Sequence, residues 1–357
     1  MGALIDTNLG QVTGSANFNV DLKLSGDILS LEPMLKAEET TREEFLKDFW
    51  PALHANATVD GELYGVPFHN STPLLYYNVE HFKEAGLDPA KPPRTWAEMV
   101  DAAKKLTKPD RYAFNMPASI DNLGWLMEAL SMSNGGRYYN EDYGGEVYYD
   151  TPTMLGAAHF VEDLIFKHKV MPQGVTETGG VTTAFFAGKI SMMLLSTGAL
   201  SFIRENMKQP YAVAFVPRNV RNAVPIGGAS LVMFAGQSEE SKKAGWKFIK
   251  WLTTAETLGG WSRFTGYFAP RKSAYDKAEM KEFIAKNPDA KVALDQLPFA
   301  KPWFATYQTV AVRKALEDEI QAMMNGKKKA DQAVKDAQKK ADELMRPYVE
   351  QTSLKLP

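Results

Sequence analysis

The chain has 357 residues, of which 45% are hydrophobic and 24% charged, a composition that excludes disordered and collagen-like classes and gives room for two domains with cores of their own. Lys and Arg total 41 against 43 Asp and Glu, so the formal charge of -2 provides no field for nucleic acid or an acidic membrane surface. No Cys is present, which removes disulfides, thiolate nucleophiles and cysteine metal sites, and no apolar run is long enough to span a bilayer. Taken in chain order, residues 1–28 are rich in Gly, Asn, Ser and Thr, with a weak alternation over 17–24 that reads as one strand. The segment from Glu39 predicts a helix, with Thr40 as cap, Glu43 three residues on, and an end near Pro51.

Two extended segments follow, 64–68 and 73–78. The second is a near-continuous apolar run of the kind buried on both faces of a sheet. Between them lies the polar tetrapeptide His69-Asn70-Ser71-Thr72. Thr95 and Glu98 form a capping-box pattern at the start of a helix running to Leu106, and further helices are predicted at 122–133, 153–168, 197–207, 239–253 and 255–264. Strands are predicted at 212–217 and 229–234, and the apolar stripe Ala330, Ala333, Val334, Ala337, Ala341, Leu344, Met345 predicts a long C-terminal helix. Interleaved strands and helices indicate an α/β fold. Without a Pro/Ser tether between halves, the two domains are expected to be built from discontinuous segments.

The five histidines, at 54, 69, 81, 159 and 168, fall in no zinc spacing, and there is no GxSxG elbow, phosphate loop or GxGxxG turn. Neither a metal nor a cofactor is expected. Loop aromatics stand out instead: Trp125 after Gly124, Tyr267 in Thr265-Gly266-Tyr267, and Trp303-Phe304 after Pro302. Rings flanked by hydroxyls, amides and Gly backbone suit a polyol, whose C–H faces pack on aromatics while its hydroxyls take directed hydrogen bonds. Two Gly-centred stretches add backbone donors or close approach: Ser196-Thr197-Gly198 before a helical segment, and Gly227-Gly228-Ala229-Ser230 opening a strand. For each of these the alternative is structural, as core packing, an ordinary cap or an ordinary turn.

The ordered motifs PFHNSTPLLYYN, EAGLDPAKPPRTWAEM, STGAL, IGGASLVMF, TGYFAPRKSAY and NGKKKADQAVKDAQKKADEL resemble the extracellular solute-binding proteins of ABC importers, in the branch of the glycerol-3-phosphate-binding and maltose-binding proteins. The resemblance runs from about Gly61 to Met345. It implies a two-lobed, type II periplasmic-binding-protein-like fold with a hinge. The expected lobes are 1–72 with 228–272, and 73–227 with 273–357. It further implies a non-catalytic, monomeric protein of the periplasm or cell exterior that captures a sugar or polyol between its lobes and hands it to membrane permease subunits, with no part for nucleic acid. Carried over position by position, the ligand-binding residues are Asn70, Ser71, Trp125, Ser196, Thr197, Gly198, Gly228 and Tyr267, with Trp303 as a further aromatic.

Two departures from the family pattern bear on the solute. Where phosphate-binding members carry an Arg, this chain has Lys301-Pro302-Trp303-Phe304, which favours a neutral solute over glycerol 3-phosphate or a glycerophosphodiester. The stretch before Pro67 is short for the family's first lobe, by at least one βαβ unit. The rival from the enzyme class is a carbohydrate-active hydrolase, since aromatic clefts serve those too.

Overall fold

In a computed structural model of the chain, residues 22–23, 25–119, 122–136, 139–140, 146–304 and 306–352 are described. The strand expected at 17–24, apart from Leu22 and Lys23, and the rest of the N-terminal stretch lie outside them. The strands that position the rest are β1 (Gly65–Ser71), β2 (Pro73–Asn78), β3 (Tyr112–Asn115), β4 (Ile190–Ser196), β5 (Tyr211–Ala214), β6 (Val224–Pro225), β7 (Gly227–Val232) and β8 (Ala300–Lys301). A four-stranded sheet runs in the order β3, β4, β2, β5, with β2 antiparallel to both neighbours and β3 parallel to β4. Alternation on β2 serves two layers: Leu75 and Tyr77 enter one core, Leu74 and Tyr76 the other. Met192 and Leu194 of β4 match the first set, and Met193 and Leu195 the second. The run is therefore apolar from Pro73 to Tyr77 because both faces of the sheet are covered.

A separate pair, β1 and β7, runs antiparallel with Gly227 opposite Ser71 and a register shift between Ala229 and Ser230. Val66 and Phe68 from β1 and Leu231 from β7 point into a second, smaller core with Leu31, Leu35, Phe49, Trp246 and Ile249. The chain passes between the two bodies at three places. At Thr72, β1 runs straight into β2; at Ile226, β6 gives way to β7; the third passage lies between Ile284, in the smaller body's core, and Ala293, which packs with Leu74 and Tyr76 on the four-stranded sheet of the larger body. The sequence reading starts its second lobe again at 273, whereas Ala274, Met280 and Phe283 pack in the smaller core.

Helices cover these sheets. Those used below are α1 (Trp96–Leu106), α2 (Asn122–Ser133), α3 (Leu200–Asn206), α4 (Glu239–Leu252), α5 (Ala255–Thr265), α6 (Ala278–Lys286), α7 (Pro288–Gln296), α8 (Thr309–Met324) and α9 (Ala330–Thr352). The capping box opens α1 as expected, with the Thr95 side chain accepting from the Glu98 N–H and the Glu98 side chain from the Thr95 N–H. The helix predicted from Thr40 is broken up: Thr41 caps Arg42–Leu46, and Pro51 starts a 3-10 turn before a further short helix, His54–Ala57. The stretch 153–168 is helical to Glu162 and then widens into a π turn over Asp163–Lys167. No helix among the described residues is long and apolar enough to cross a membrane.

Candidate functional site

The first passage between the bodies is held rigidly. Thr72 is fully buried; its N–H donates to Thr197 Oγ1 (3.2 Å), its carbonyl accepts from the Thr197 N–H (2.9 Å), and its hydroxyl accepts from Gln296 (3.2 Å). Thr197 therefore serves the crossing itself. The Gly198 N–H is also engaged, donating to Ser196 Oγ at 3.0 Å, so the backbone amides expected to stand open at this turn close on their own chain instead. What Gly198 offers is room. A Cβ there would lie 2.6 Å from Tyr267 Cζ, so the Tyr267 ring, which follows α5, sits directly on the backbone of the turn after β4.

On its other side Tyr267 packs on His69, ring centroids 4.6 Å apart. Burial holds the His69 imidazole neutral, its pKa pulled down to about 4. Next to it, the buried Asn70 side chain donates to the Gly227 carbonyl (3.2 Å), and its main-chain carbonyl accepts from the Phe268 N–H (3.0 Å). Gly228 has φ +96°, and a Cβ would come within 2.0 Å of the His69 carbonyl oxygen, so this position accepts only glycine at the junction of β1 and β7. The backbone of Gly227 lies against both Ser71 and the indole of Trp125, each 3.0 Å from where its Cβ would stand. Asn70, Ser71, Trp125, Ser196, Thr197, Gly198, Gly228 and Tyr267 thus gather where the chain crosses between the two bodies.

Trp303 is placed differently. It is buried in the larger core, with the Arg313 guanidinium 3.4 Å above its ring, so at most one face is left for a solute. Arg313, from the first turns of α8, also donates to the Phe304 carbonyl (2.8 Å). Glu317, one turn on, accepts from the Gly124 N–H at the start of α2 (3.0 Å), and Glu128 is buried on that same helix. The sequence reading did not single out Arg313, Glu317, Glu128 or His69. Arg313 and Glu317 are four apart beside the apolar stripe Val312, Leu316, Ile320, a spacing that marks a same-face ion-pair pattern. His69 sits in the polar tetrapeptide and carries no spacing signal of its own. Among the described residues no group of three or more His, Asp or Glu is arranged to hold a metal ion.

Three of the polar atoms at the crossing are shielded from solvent and without a hydrogen-bond partner: His69 Nδ1, Asn70 Oδ1 and Trp125 Nε1. Such atoms cost free energy unless something pairs with them.

Residues 20–292 match the family of bacterial extracellular solute-binding proteins. The chain is 31% identical over 312 residues to the sn-glycerol-3-phosphate-binding periplasmic protein UgpB of Escherichia coli K12, covering 82% of this chain and 69% of that one. Among solved structures it is similar to UgpB from Mycobacterium tuberculosis in complex with glycerophosphocholine, with a TM-score of 0.82, 25% identity, and coverage of 94% of this chain and 83% of that one. The maltose-bound MalE3 of T. maritima gives a TM-score of 0.78 at 26% identity, covering 93% and 82%. In sequence and in its two-lobed α/β architecture, the chain belongs to the bacterial extracellular solute-binding proteins.

Proposed function

We propose that the chain captures a neutral sugar or polyol at the crossing between its two bodies and delivers it to the membrane permease of an ABC importer, without transforming it. The observation that carries the choice of solute is the set of unpartnered neutral atoms, His69 Nδ1, Asn70 Oδ1 and Trp125 Nε1, beside the rings of Trp125 and Tyr267. An indole N–H donates, an amide oxygen accepts, and a neutral imidazole does either according to its tautomer, which is the mixed demand that hydroxyl groups meet. Relatives named for glycerol 3-phosphate favour a second reading, a phosphate ester. Against it, Arg313 lies 3.4 Å over the Trp303 ring and donates to the Phe304 carbonyl (2.8 Å), so its guanidinium is engaged within the larger body.

Thermal unfolding in the presence of maltose, neutral polyols, glycerol 3-phosphate and glycerophosphocholine tests this, because a bound solute raises the melting temperature by mass action. The expected outcome is a shift with a neutral polyhydroxylated compound, which is then recovered unchanged after prolonged incubation. Shifts confined to the phosphate esters overturn the neutral assignment, and a cleaved product overturns the binder in favour of a hydrolase.

A further inference from the structure

A cavity of about 490 Å³ opens beside β5, in the larger body and away from the crossing residues described above. Its walls include Pro93, Val213, Phe215 and Val292, an apolar lining. Two arginines, Arg94 and Arg218, share this lining, and the backbone holds them side by side: the Arg218 N–H donates to the Arg94 carbonyl (3.0 Å) and the Trp96 N–H to the Arg218 carbonyl (3.0 Å). Arg94 is exposed and Arg218 half-buried, and two cationic side chains from adjacent residues of one lining favour an anion beside them. Among the described residues no carboxylate lies within ion-pair distance of either.

The nearest acids on the same loop are engaged elsewhere. Glu98 is turned to the start of α1, accepting from the backbone N–H groups of Arg94 (2.6 Å) and Thr95 (3.2 Å). Asp88 accepts from the Ala90 N–H (2.9 Å) and pairs with Lys91 (3.6 Å). Asn222 accepts from Arg218 Nη1 at 3.1 Å, which orients the guanidinium and leaves the Asn222 amide N–H groups as further donors on the same rim. Guanidinium donors on the lining of a cavity that also has apolar walls match a planar or tetrahedral oxyanion carried on a compact apolar body.

We propose that this cavity is a second ligand site, distinct from the solute cleft, which takes an organic anion, a carboxylate or phosphate monoester joined to a small apolar group. The proposal is independent of which solute fills the cleft. The test is calorimetric titration of the intact chain with phenyl phosphate and with benzoate, which separate the two headgroups, with inorganic phosphate as the headgroup alone. Saturable binding of phenyl phosphate or benzoate is expected, tighter than that of inorganic phosphate, and weakened about tenfold or more in Arg94→Gln/Arg218→Gln. Arg218→Lys should recover part of the loss, since charge returns without the fork. Gly198→Ala, at the crossing, should leave anion binding as it is, and the double variant should keep its cleft solute. Equal affinity in the double variant, loss of anion binding in Gly198→Ala, or no saturable heat with either probe overturns the proposal. The backbone bridge between Arg94 and Arg218 uses no side-chain atom, so a cooperative melt is expected for the double variant.

Discussion

At Gly198 and Gly228 the same substitution has different consequences. Gly228 combines φ +96° with a backbone oxygen 2.0 Å from any Cβ, so Gly228→Ala must break the pairing of β1 with β7. Its expected effect is on stability, a loss of about 2 kcal/mol or more in denaturant unfolding. Gly198 has no such positive φ, and the three atoms nearest its Cβ all belong to the Tyr267 ring. Gly198→Ala should therefore fold normally and bind solute about tenfold or more weakly, because the ring that covers the site is displaced. A pH effect belongs to this scale as well. His69, half-buried and desolvated, is held neutral with a pKa of about 4 against an ordinary 6.5, and His81, buried near Arg111, is lowered to about 4 as well. A histidine with a depressed folded pKa lends stability that is complete above pH 6.5 and is lost as pH falls from there toward 4. For His69 this is about 3 kcal/mol in all. Unfolding free energies at pH 7 and pH 4.5 should show the fall, and His69→Phe, which keeps a ring against Tyr267, should reduce it.

Individual elements differ in how openly the sequence declares them. The capping box Thr95/Glu98 is legible because its chemistry is local, and Thr95→Ala should cost about 1 kcal/mol in urea unfolding through loss of the bond to the Glu98 N–H. The strand at 73–78 is legible because both its faces are buried. By contrast β3 and β4 pass unnoticed: Tyr112-Ala113-Phe114-Asn115 is too short to show a period, and Ile190-Ser191-Met192-Met193 reads equally as helix. The helices α6 and α7 are missed for a related reason. Their apolar residues answer to different cores, Met280 and Ile284 to that of the smaller body, Ala293 and Leu297 to the two cores on opposite faces of the four-stranded sheet, so no single stripe persists along 278–297. The motif residues Asn70, Ser71, Trp125, Gly228 and Tyr267 lie together at the crossing in the structure. The orientation of Trp303 under Arg313 depends on packing between β8 and α8 that no local pattern encodes.

In the whole molecule, the three crossings set what can move. The third is fastened just after it enters the larger body: Asp289, near the start of α7, takes two hydrogen bonds from Arg204 of α3 (3.0 and 2.9 Å) and one from the Tyr211 hydroxyl of β5 (2.8 Å). The ring of Phe283, in the smaller core's α6, lies 5.4 Å from the Arg204 guanidinium, which ties this knot to the other side of the crossing. Asp289→Asn leaves a partly buried arginine without its counter-charge and should lower the unfolding free energy by about 2–3 kcal/mol. On our proposal, the crossing between the bodies takes a neutral polyhydroxylated solute. The most direct measurement is a calorimetric titration, in the Arg94→Gln/Arg218→Gln background so that the second cavity does not contribute, comparing glycerol 3-phosphate with the neutral saccharide that gives the largest thermal shift, at low and high salt. The neutral solute is expected to bind at least about tenfold more tightly, with an affinity unmoved by salt, since no charge is being screened. Tighter binding of glycerol 3-phosphate, weakening as salt rises, would contradict it.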